Sequence, residues 1–435
     1  MNRLPFDRTL TLPVLGLILI GLINLYSASY YFDKSIFLKQ IIWVILGLGV
    51  MVALFLTKYE TIINWATYIY IIFLILTAIT LIIGREVRGT KSWLTIAGMG
   101  IQPSEFLKVG VLLLATRYLS SEGVDPQKFS TFLVLLIIFI VPIGIILLQP
   151  DLGMAISYMI FFLLFSLIAG INQRYILIIL FLGFSVVFFP FFNAYLEFLV
   201  RMGIIEKLSK TAQILISKEF AYALALSSFF TMIVSLIVSR IIKDKLRFYL
   251  GIFLLIFSIG FLLGNIGYSK LKPYQKNRLM VFFNPEIDRL GAGYNVIQSE
   301  IAIGSGGIKG KGFLQGSQNK LNILPERHTD FAFSVLAEEW GLLGTSIVII
   351  LFIVIFIRLL WLISNTENLK SYLLLCGATI IIFVNFTINM MMVLGLAPVT
   401  GLPLPFISYG GSSIITNLAL IGIINNVFRE RFLLF

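Results

Sequence analysis

Few residues of this chain can do chemistry, and they gather at the edges of apolar runs. Gln102-Pro103-Ser104-Glu105-Phe106-Leu107-Lys108 sets a carboxylate and an ammonium three residues apart, which on a helix places both on one face. Pro103 suits the first turn of that helix. The pair reads either as a self-satisfied ion pair, with Glu105 favourable at the positive dipole end, or as part of a site. Charges inside a membrane-embedded run cost ~2.5–3.5 kcal/mol each, so a functional reason is the default expectation. Leu324-Pro325-Glu326-Arg327-His328-Thr329-Asp330-Phe331 brings a second carboxylate close to the only histidine of the chain. Asp330 either caps the helix that follows or acts as a general base for a substrate arriving at the membrane boundary. A lone histidine such as His328 is more often a structural hydrogen-bonder. Glu338 and Glu339 lie about two turns further on and need partners, expected from Lys or Arg of neighbouring helices. Gln149-Pro150-Asp151-Leu152-Gly153 has the same helix-start grammar and reads as a cap.

The cations form the complementary set. Arg85, Arg88, Lys91 and Lys108 are followed by Lys270, Lys272, Lys276, Arg278, Arg289, Lys309, Lys311, Lys320 and Arg327, all in or beside a few connections. They make either a solvated loop surface or a clamp for a phosphate or pyrophosphate, whose oxygens Arg and Lys bind well. Gly304-Ser305-Gly306-Gly307-Ile308-Lys309-Gly310-Lys311-Gly312 would let backbone amides approach a ligand, or would simply be flexible; its spacing is not that of a P-loop. The prolines and glycines of residues 395–413 preclude a regular helix and predict a re-entrant or broken segment lining a cavity. Cys376 is the only cysteine, so no disulfide and no cysteine metal cluster forms within one chain. No other metal-ligand spacing and no nucleophile triad is present.

The elements that must position these groups follow from composition. The chain has 435 residues, 59% hydrophobic and 12% charged, against roughly 25% charged in soluble domains. That excludes a soluble enzyme and a disordered chain, and the long charge-free runs Ile71–Ile83 and Ile347–Ile357 exclude the short alternating segments of an outer-membrane barrel. The class is an all-α polytopic membrane protein. At ~20 residues per span, about twelve are expected, near 10–30, 36–57, 62–84, 104–120, 130–149, 151–170, 174–197, 220–240, 248–267, 333–360, 370–394 and 406–428. The first is too long for a cleaved signal and reads as an anchor. An even number of spans puts both termini on one side, expected to be the cytoplasm. Lys and Arg support this modestly once the long connection from Tyr268 to Thr329, exempt from the positive-inside rule, is set aside. The net charge of +12 then speaks for loops on the outer face and not for nucleic acid.

At these residues the chain resembles the shape, elongation, division and sporulation (SEDS) family of bacterial membrane proteins, the RodA/FtsW group. The stretches that carry the resemblance are "GTKSWLTIAGMGIQPSEFLKVGVLLLA", "LLQPDLGMA", "KPYQKNRLMVFFNPEID", "GAGYNVIQSEIAIGSGGIKGKG", "LPERHTDFAFSVLAEEWG" and "GLAPVTGLPLPFISYGGSS". Among them "KPYQKNR", "NPE" and "PERHTDF" look like the RodA, cell-elongation branch.

The resemblance implies a peptidoglycan glycosyltransferase that polymerises lipid II at the outer face of the bacterial cytoplasmic membrane, with a class B penicillin-binding protein as transpeptidase and other elongation-complex proteins as partners. The family's essential acid falls on Asp330, as catalytic base. Glu105, Lys108, Lys276, Arg278, Arg327, His328 and Ser408 are the expected substrate-binding residues, the cations among them facing the departing pyrophosphate. A divalent cation (Mg or Mn) is conceivable beside an anionic leaving group. A lipid II flippase or other transporter, and a non-catalytic scaffold of the elongation machinery, are the alternatives. The chain departs from the family's bundle of about ten spans at residues 198–267. These are expected to be an insertion, made of an amphipathic interface helix (Arg201–Phe220, with Ile204, Leu208, Ala212 and Leu215 at helical spacing) and two extra spans joined by the basic Arg240–Arg247 turn. Residues 268–332 are expected to form a long extracytoplasmic loop.

Overall fold

The computed structural model describes residues 6–87, 89–96, 98–201, 214, 217–242, 245–288, 291–321 and 323–433. Arg88, Lys243 and Arg289 lie outside these residues, as do Ile204, Leu208, Ala212 and Leu215 and with them most of the expected amphipathic helix.

Residue contacts divide the chain into two units, Met1–Asn172 with Asn295–Phe435, and Gln173–Tyr294. In the first, α1 (Arg8–Tyr30), α2 (Ser35–Leu56), the short α3 (Tyr59–Asn64) and α4 (Ala66–Ile83) lead into a three-stranded antiparallel sheet: β1 (Arg85–Val87), β2 (Thr90–Ile96) and β3 (Met99–Ile101). Next come α5 (Pro103–Leu119), α6 (Phe129–Leu148) and α7 (Leu152–Ile168). In the second unit α8 (Gln173–Arg201) is followed by α9 (Lys218–Ile242), α10 (Lys245–Lys270), α11 (Pro273–Phe283) and a 3₁₀ turn (Pro285–Asp288). Then α12 (Ala292–Gly306) and the one-turn α13 (Ser317–Lys320) precede the long α14 (Ala332–Ser364), α15 (Leu369–Val393) and α16 (Gly411–Leu433). The apolar runs expected to span the membrane therefore become α1, α2, α3 with α4, α5 to α10, and α14 to α16. Among the described residues nine helices are long and apolar enough to cross a membrane, and two stretches, Leu152–Ile168 and Tyr222–Ser235, are shorter. α5 is 17 residues long and carries Glu105, Lys108 and Arg117.

The expected long loop at 268–332 is largely structured, since α11, the 3₁₀ turn, α12 and α13 all fall within it. Nor was the sheet expected; it folds the basic connection after α4 back on itself, pairing Leu94 with Ile101 and Ile96 with Met99.

The core of the first unit lies around α15 and α16, whose most apolar windows are 72% and 89% buried. α15 packs on α5, α7, α14 and α16; α16 in turn packs on α2. In the second unit α10 packs on both α8 and α9, and Asn193 of α8 donates to Asn265 of α10 at 2.6 Å, the kind of interhelical bond that lipid-embedded helices use as glue.

α14 is broken at Gly341, whose φ of 64° and ψ of −162° are non-helical and open to glycine alone at low cost. The backbone groups freed there are satisfied by the glycine-rich segment. Lys311 and Gly312 N–H donate to the carbonyls of Glu338 and Glu339, while Leu342 and Leu343 N–H donate to Gly307 and Ile308. A Cβ on Gly310 would lie 2.2 Å from the Glu339 carbonyl oxygen. The glycines thus serve close packing of this loop against a broken helix, in keeping with the rule that irregular backbone at membrane depth must be buried in protein.

Candidate active site

The fourth-span motif folds as its residue types dictate. Pro103 opens α5, and Glu105 and Lys108 share a face, with Lys108 Nζ 3.2 Å from Glu105 Oε2. Both side chains are buried, at 2% and 3% exposure. The ammonium also donates to Asn385 Oδ1 of α15 at 3.3 Å. Glu105 Oε1 is buried without a hydrogen bond among the described residues. A narrow crevice beside the pair is lined by Lys108, Ser157, Tyr158, Phe161, Ile381, Val384 and Asn385. The helix start is fastened from three sides. Gln102 N–H donates to Ser412 Oγ at 2.7 Å, Gln102 Nε2 to Asp151 Oδ2 at 2.9 Å, and the Tyr158 hydroxyl to the Ser104 carbonyl at 2.7 Å. Asp151 caps α7 as expected, accepting from Met154 N–H at 3.1 Å.

Asp330 is 6% exposed and stands one residue ahead of Phe331, which occupies the N-cap position of α14 without a side-chain cap. Asp330 therefore does not hold the N-cap position itself. Its carbonyl accepts from Asn389 Nδ2 at 3.0 Å, and the same nitrogen donates to the Leu402 carbonyl at 2.7 Å. One α15 side chain thus holds the Asp330 turn and the 395–410 connection together. Gly401, at a φ of 78°, passes so close to the carboxylate that a Cβ there would lie 3.7 Å from Asp330 Oδ2. The connection is irregular yet buried at Leu402, Leu404, Phe406 and Ile407, a broken segment as its prolines predicted. Glu326 and Phe406, with φ of 56° and 65°, hold left-handed backbone on the two segments beside Asp330, and such strain, costing ~1–3 kcal/mol per residue, collects at functional sites.

The neighbouring expected residues divide by geometry. Arg327 is buried, donates from Nε to the Ala28 carbonyl at 2.9 Å and lies 5.7 Å from the Phe32 ring centroid. Burial pushes its pKa below the usual value; with a guanidinium's high reference pKa the charge remains. Its Nε thus ties the Asp330 turn to the end of α1. The His328 carbonyl accepts from Tyr409 N–H at 2.8 Å and its ring meets the Tyr409 ring edge-on, centroids 5.9 Å apart. Ser408 is buried and its Oγ accepts from Leu404 N–H at 3.0 Å, closing a turn of the connection. Arg327, His328, Asp330 and Ser408 are therefore brought to one locality. Glu105 and Lys108 join it through α15. Lys276 lies on α11 of the second unit, its Nζ 4.5 Å from the Tyr268 ring centroid. Arg278 lies on the same helix, and its side chain is outside what the structure describes.

One expectation is corrected. Glu338 and Glu339 find partners in the preceding loop and α1 and not in cations of neighbouring helices. Glu338 Oε1 accepts from Lys311 Nζ at 2.7 Å, Ser317 N–H at 2.9 Å and Ser317 Oγ at 2.7 Å. Glu339 Oε1 accepts from Ser27 Oγ at 2.6 Å and Asn319 Nδ2 at 2.9 Å. Lys311, a cation of the basic set, is accordingly engaged in structure. Among the described residues no group of three His, Cys, Asp or Glu side chains is placed to hold a metal ion. Asn385 and Asn389 were not singled out from sequence, although amides four apart inside an apolar run are a signal in a membrane helix.

A family model for FtsW, RodA and SpoVE, described as cell cycle protein, matches residues 6–205 and 204–432. The chain is 34% identical to the peptidoglycan glycosyltransferase RodA of Treponema pallidum (strain Nichols), over 97% of both chains. It is 31% identical to the peptidoglycan glycosyltransferase MrdB of Escherichia coli (strain K12), over 99% of this chain and 95% of that one. Among solved structures it superposes on a chain from work on "Structural coordination of polymerization and crosslinking by a peptidoglycan synthase complex" with a TM-score of 0.70, at 26% identity and 99% coverage of each. The crystal structure of the Thermus thermophilus rod shape determining protein RodA gives a TM-score of 0.61 at 23% identity and 99% coverage of each, a likeness of fold. With the family model spanning nearly the whole chain, the protein belongs to the FtsW/RodA/SpoVE, or SEDS, family of polytopic membrane proteins.

Proposed function

We propose that this protein is a peptidoglycan glycosyltransferase of the RodA type, polymerising lipid II into β-1,4-linked glycan strands during cell elongation. Its relatives at 34% and 31% identity bear the name peptidoglycan glycosyltransferase. The observation that carries the reading is the buried Asp330, whose backbone carbonyl is held by an α15 amide and whose carboxylate lies beside Gly401 of the broken 395–410 segment. In the reaction an acceptor sugar hydroxyl attacks the anomeric carbon of the lipid-linked donor. A C–O bond forms, the anomeric carbon to phosphate-oxygen bond breaks with inversion, and undecaprenyl pyrophosphate leaves with the electron pair. Asp330 takes the hydroxyl proton. The departing charge calls for preorganised cations, the role assigned to Lys276 and Arg278 on α11. Lys108 stands neutralised by Glu105, so it would meet a phosphate only by exchanging one of its present contacts. His328, Arg327 and Ser408 shape the turn and the connection around Asp330.

A divalent cation fits this donor set in one form only. Magnesium is commonly held by one or two carboxylates plus substrate phosphates, and Glu105, whose Oε1 accepts no hydrogen bond among the described residues, is the carboxylate apart from the base that would share it with a pyrophosphate; the metal would supply charge neutralisation there. Lipid II as substrate, a class B penicillin-binding protein as partner, both termini in the cytoplasm and a site opening to the outer face complete the proposal. The peptidoglycan synthase complex among the structural neighbours favours the partner.

Polymerisation of purified lipid II by the protein with its transpeptidase partner tests the reading. Glycan strands that vanish with Asp330→Asn support it. Full activity of that variant removes Asp330 as base, and movement of lipid II between leaflets without polymer would make the protein a transporter.

A further inference from the structure

At the end of the second unit's helices, five polar side chains form a connected group, of which the proposed reaction uses only Lys276. Glu197, near the end of α8, has both carboxylate oxygens engaged. Oε2 accepts from the Tyr268 hydroxyl of α10 at 2.6 Å, and Oε1 accepts from Arg201, one turn along α8, at 2.8 Å. The face of the Tyr268 ring carries the Lys276 ammonium of α11 at 4.5 Å from the centroid. Arg201 also reaches Asn277 Oδ1 of α11 at 3.5 Å. Beneath this group Ala194, Tyr268 and Met280 form a buried cluster with Phe198, Leu271, Leu279 and Phe283 packed against it, so the ring is firmly seated, 8% exposed. α11 is therefore fixed to the ends of α8 and α10 by a core and by this polar group together.

We propose that Tyr268, braced by Glu197, is a positioning residue that seats the Lys276 ammonium for a lipid-linked phosphate. The chemistry is specific. A free lysine side chain carries about 2 kcal/mol of rotamer entropy, and a ring face that attracts the ammonium removes part of that cost before ligand arrives. A phenol donating its proton to a carboxylate is more electron-rich than a free one, so the Glu197 contact strengthens the negative face of the ring. Among the described residues no hydrogen bond or ion pair joins the Lys276 ammonium to another side chain, and its three N–H donors suit phosphate oxygens. Arg201, paired with Glu197 at 2.8 Å, is a second cation on the same rim, at 46% exposure.

This inference rests on the glycosyltransferase reading, because it takes the ligand to be the pyrophosphate of the donor. The test uses binding of undecaprenyl pyrophosphate in detergent to the purified full chain, measured apart from turnover. Tyr268→Leu is expected to weaken binding about fivefold, the size of an ordinary cation–π contact, and to lower kcat/KM for lipid II by at least a like factor, since Lys276 also meets the charge of the departing pyrophosphate. Tyr268→Phe, which keeps the ring and loses the brace, is expected to weaken it about twofold. In a Lys276→Met background both losses should vanish, since Tyr268 acts only through Lys276; a merely structural Tyr268 would cost the same in either background, and that result overturns the proposal. So does a Tyr268→Leu protein that polymerises lipid II and binds the probe as tightly as the parent. Failure of the parent to polymerise lipid II at all would instead strike the glycosyltransferase reading.

Discussion

Asn385 and Asn389 lie one turn apart on the same face of α15. The first accepts from the Lys108 ammonium at 3.3 Å and the second donates to the Asp330 carbonyl at 3.0 Å. A single helix turn thus couples the two motifs whose chemistry stands out in the sequence, and it does so through amides, which neither gain nor lose charge with pH. Because α15 is, after α16, the most buried of the described helices long and apolar enough to cross a membrane, the coupling has little room to slacken.

Asn389→Leu should therefore unseat Asp330 without touching its carboxylate. The substitution leaves the carbonyls of Asp330 and Leu402 without their donor, and each buried orphan costs about 1–3 kcal/mol. A lowered unfolding temperature in detergent is expected, with polymerisation falling further than the folded fraction. Equal losses in both would mean that Asn389 serves stability alone.

Lys108→Met should be more harmful to folding than the double change Glu105→Gln with Lys108→Met. Removing the cation alone leaves a carboxylate at 2% exposure unpaired, and breaking a buried pair from one side costs about 3–5 kcal/mol. The double variant keeps shape without charge and is expected to unfold close to the parent. If its lipid II polymerisation also returns, the pair is architectural; if stability returns and polymerisation does not, the charges act on substrate.

Much of this architecture was legible in the apolar runs, because a lipid-facing helix cannot hide its composition. Each expected span meets a helix, and Pro103 and Asp151 start theirs where their chemistry places them. The breaks were less legible. Nothing in the run around Gly341 marks it as non-helical, since the backbone groups it frees are answered by Gly307–Gly312, some thirty residues earlier in the chain, a pairing that periodicity does not encode. The start of α16 at Gly411, past the expected 406, follows from Pro403, Pro405 and the buried turn closed by Ser408. In the site, Asp330 and the Glu105–Lys108 pair stood out as charges in apolar surroundings. Asn385 and Asn389 did not, because an uncharged amide disturbs hydropathy little and its two partners lie on other elements. Arg327 and Lys311, counted among the cations of an anion site, turned inward to the Ala28 carbonyl and to Glu338, a choice set by tertiary distance alone.

Gly401→Ala should separate conformation from chemistry. At a φ of 78° an alanine costs roughly 1–2 kcal/mol, and its methyl would stand at van der Waals distance from Asp330 Oδ2. A modest fall in unfolding temperature is expected, with a larger fall in kcat for lipid II polymerisation. Unchanged kcat would show that the carboxylate does not face substrate past Gly401.

The latch at Glu338 yields a prediction that discriminates between charge and backbone. Its carboxylate is wholly buried and meets one cation, Lys311, which is itself 31% exposed. It also meets two backbone donors, the N–H groups of Ser317 and Gln318. Lys311→Met removes the cation yet leaves the carboxylate three donors from Ser317 and Gln318, so the loop should stay closed. Glu338→Leu, by contrast, strands two N–H groups at the start of α13 while Lys311 simply turns to water. The donors can be satisfied again only if residues 311–320 open, since an unmet buried donor costs about 1–3 kcal/mol. Limited proteolysis in detergent is expected to cut the Glu338→Leu protein within this segment much faster than the parent, and the Lys311→Met protein at about the parent's rate. Equal release by both variants would mean that the ion pair, and not the capture of backbone donors, holds the loop against the broken helix.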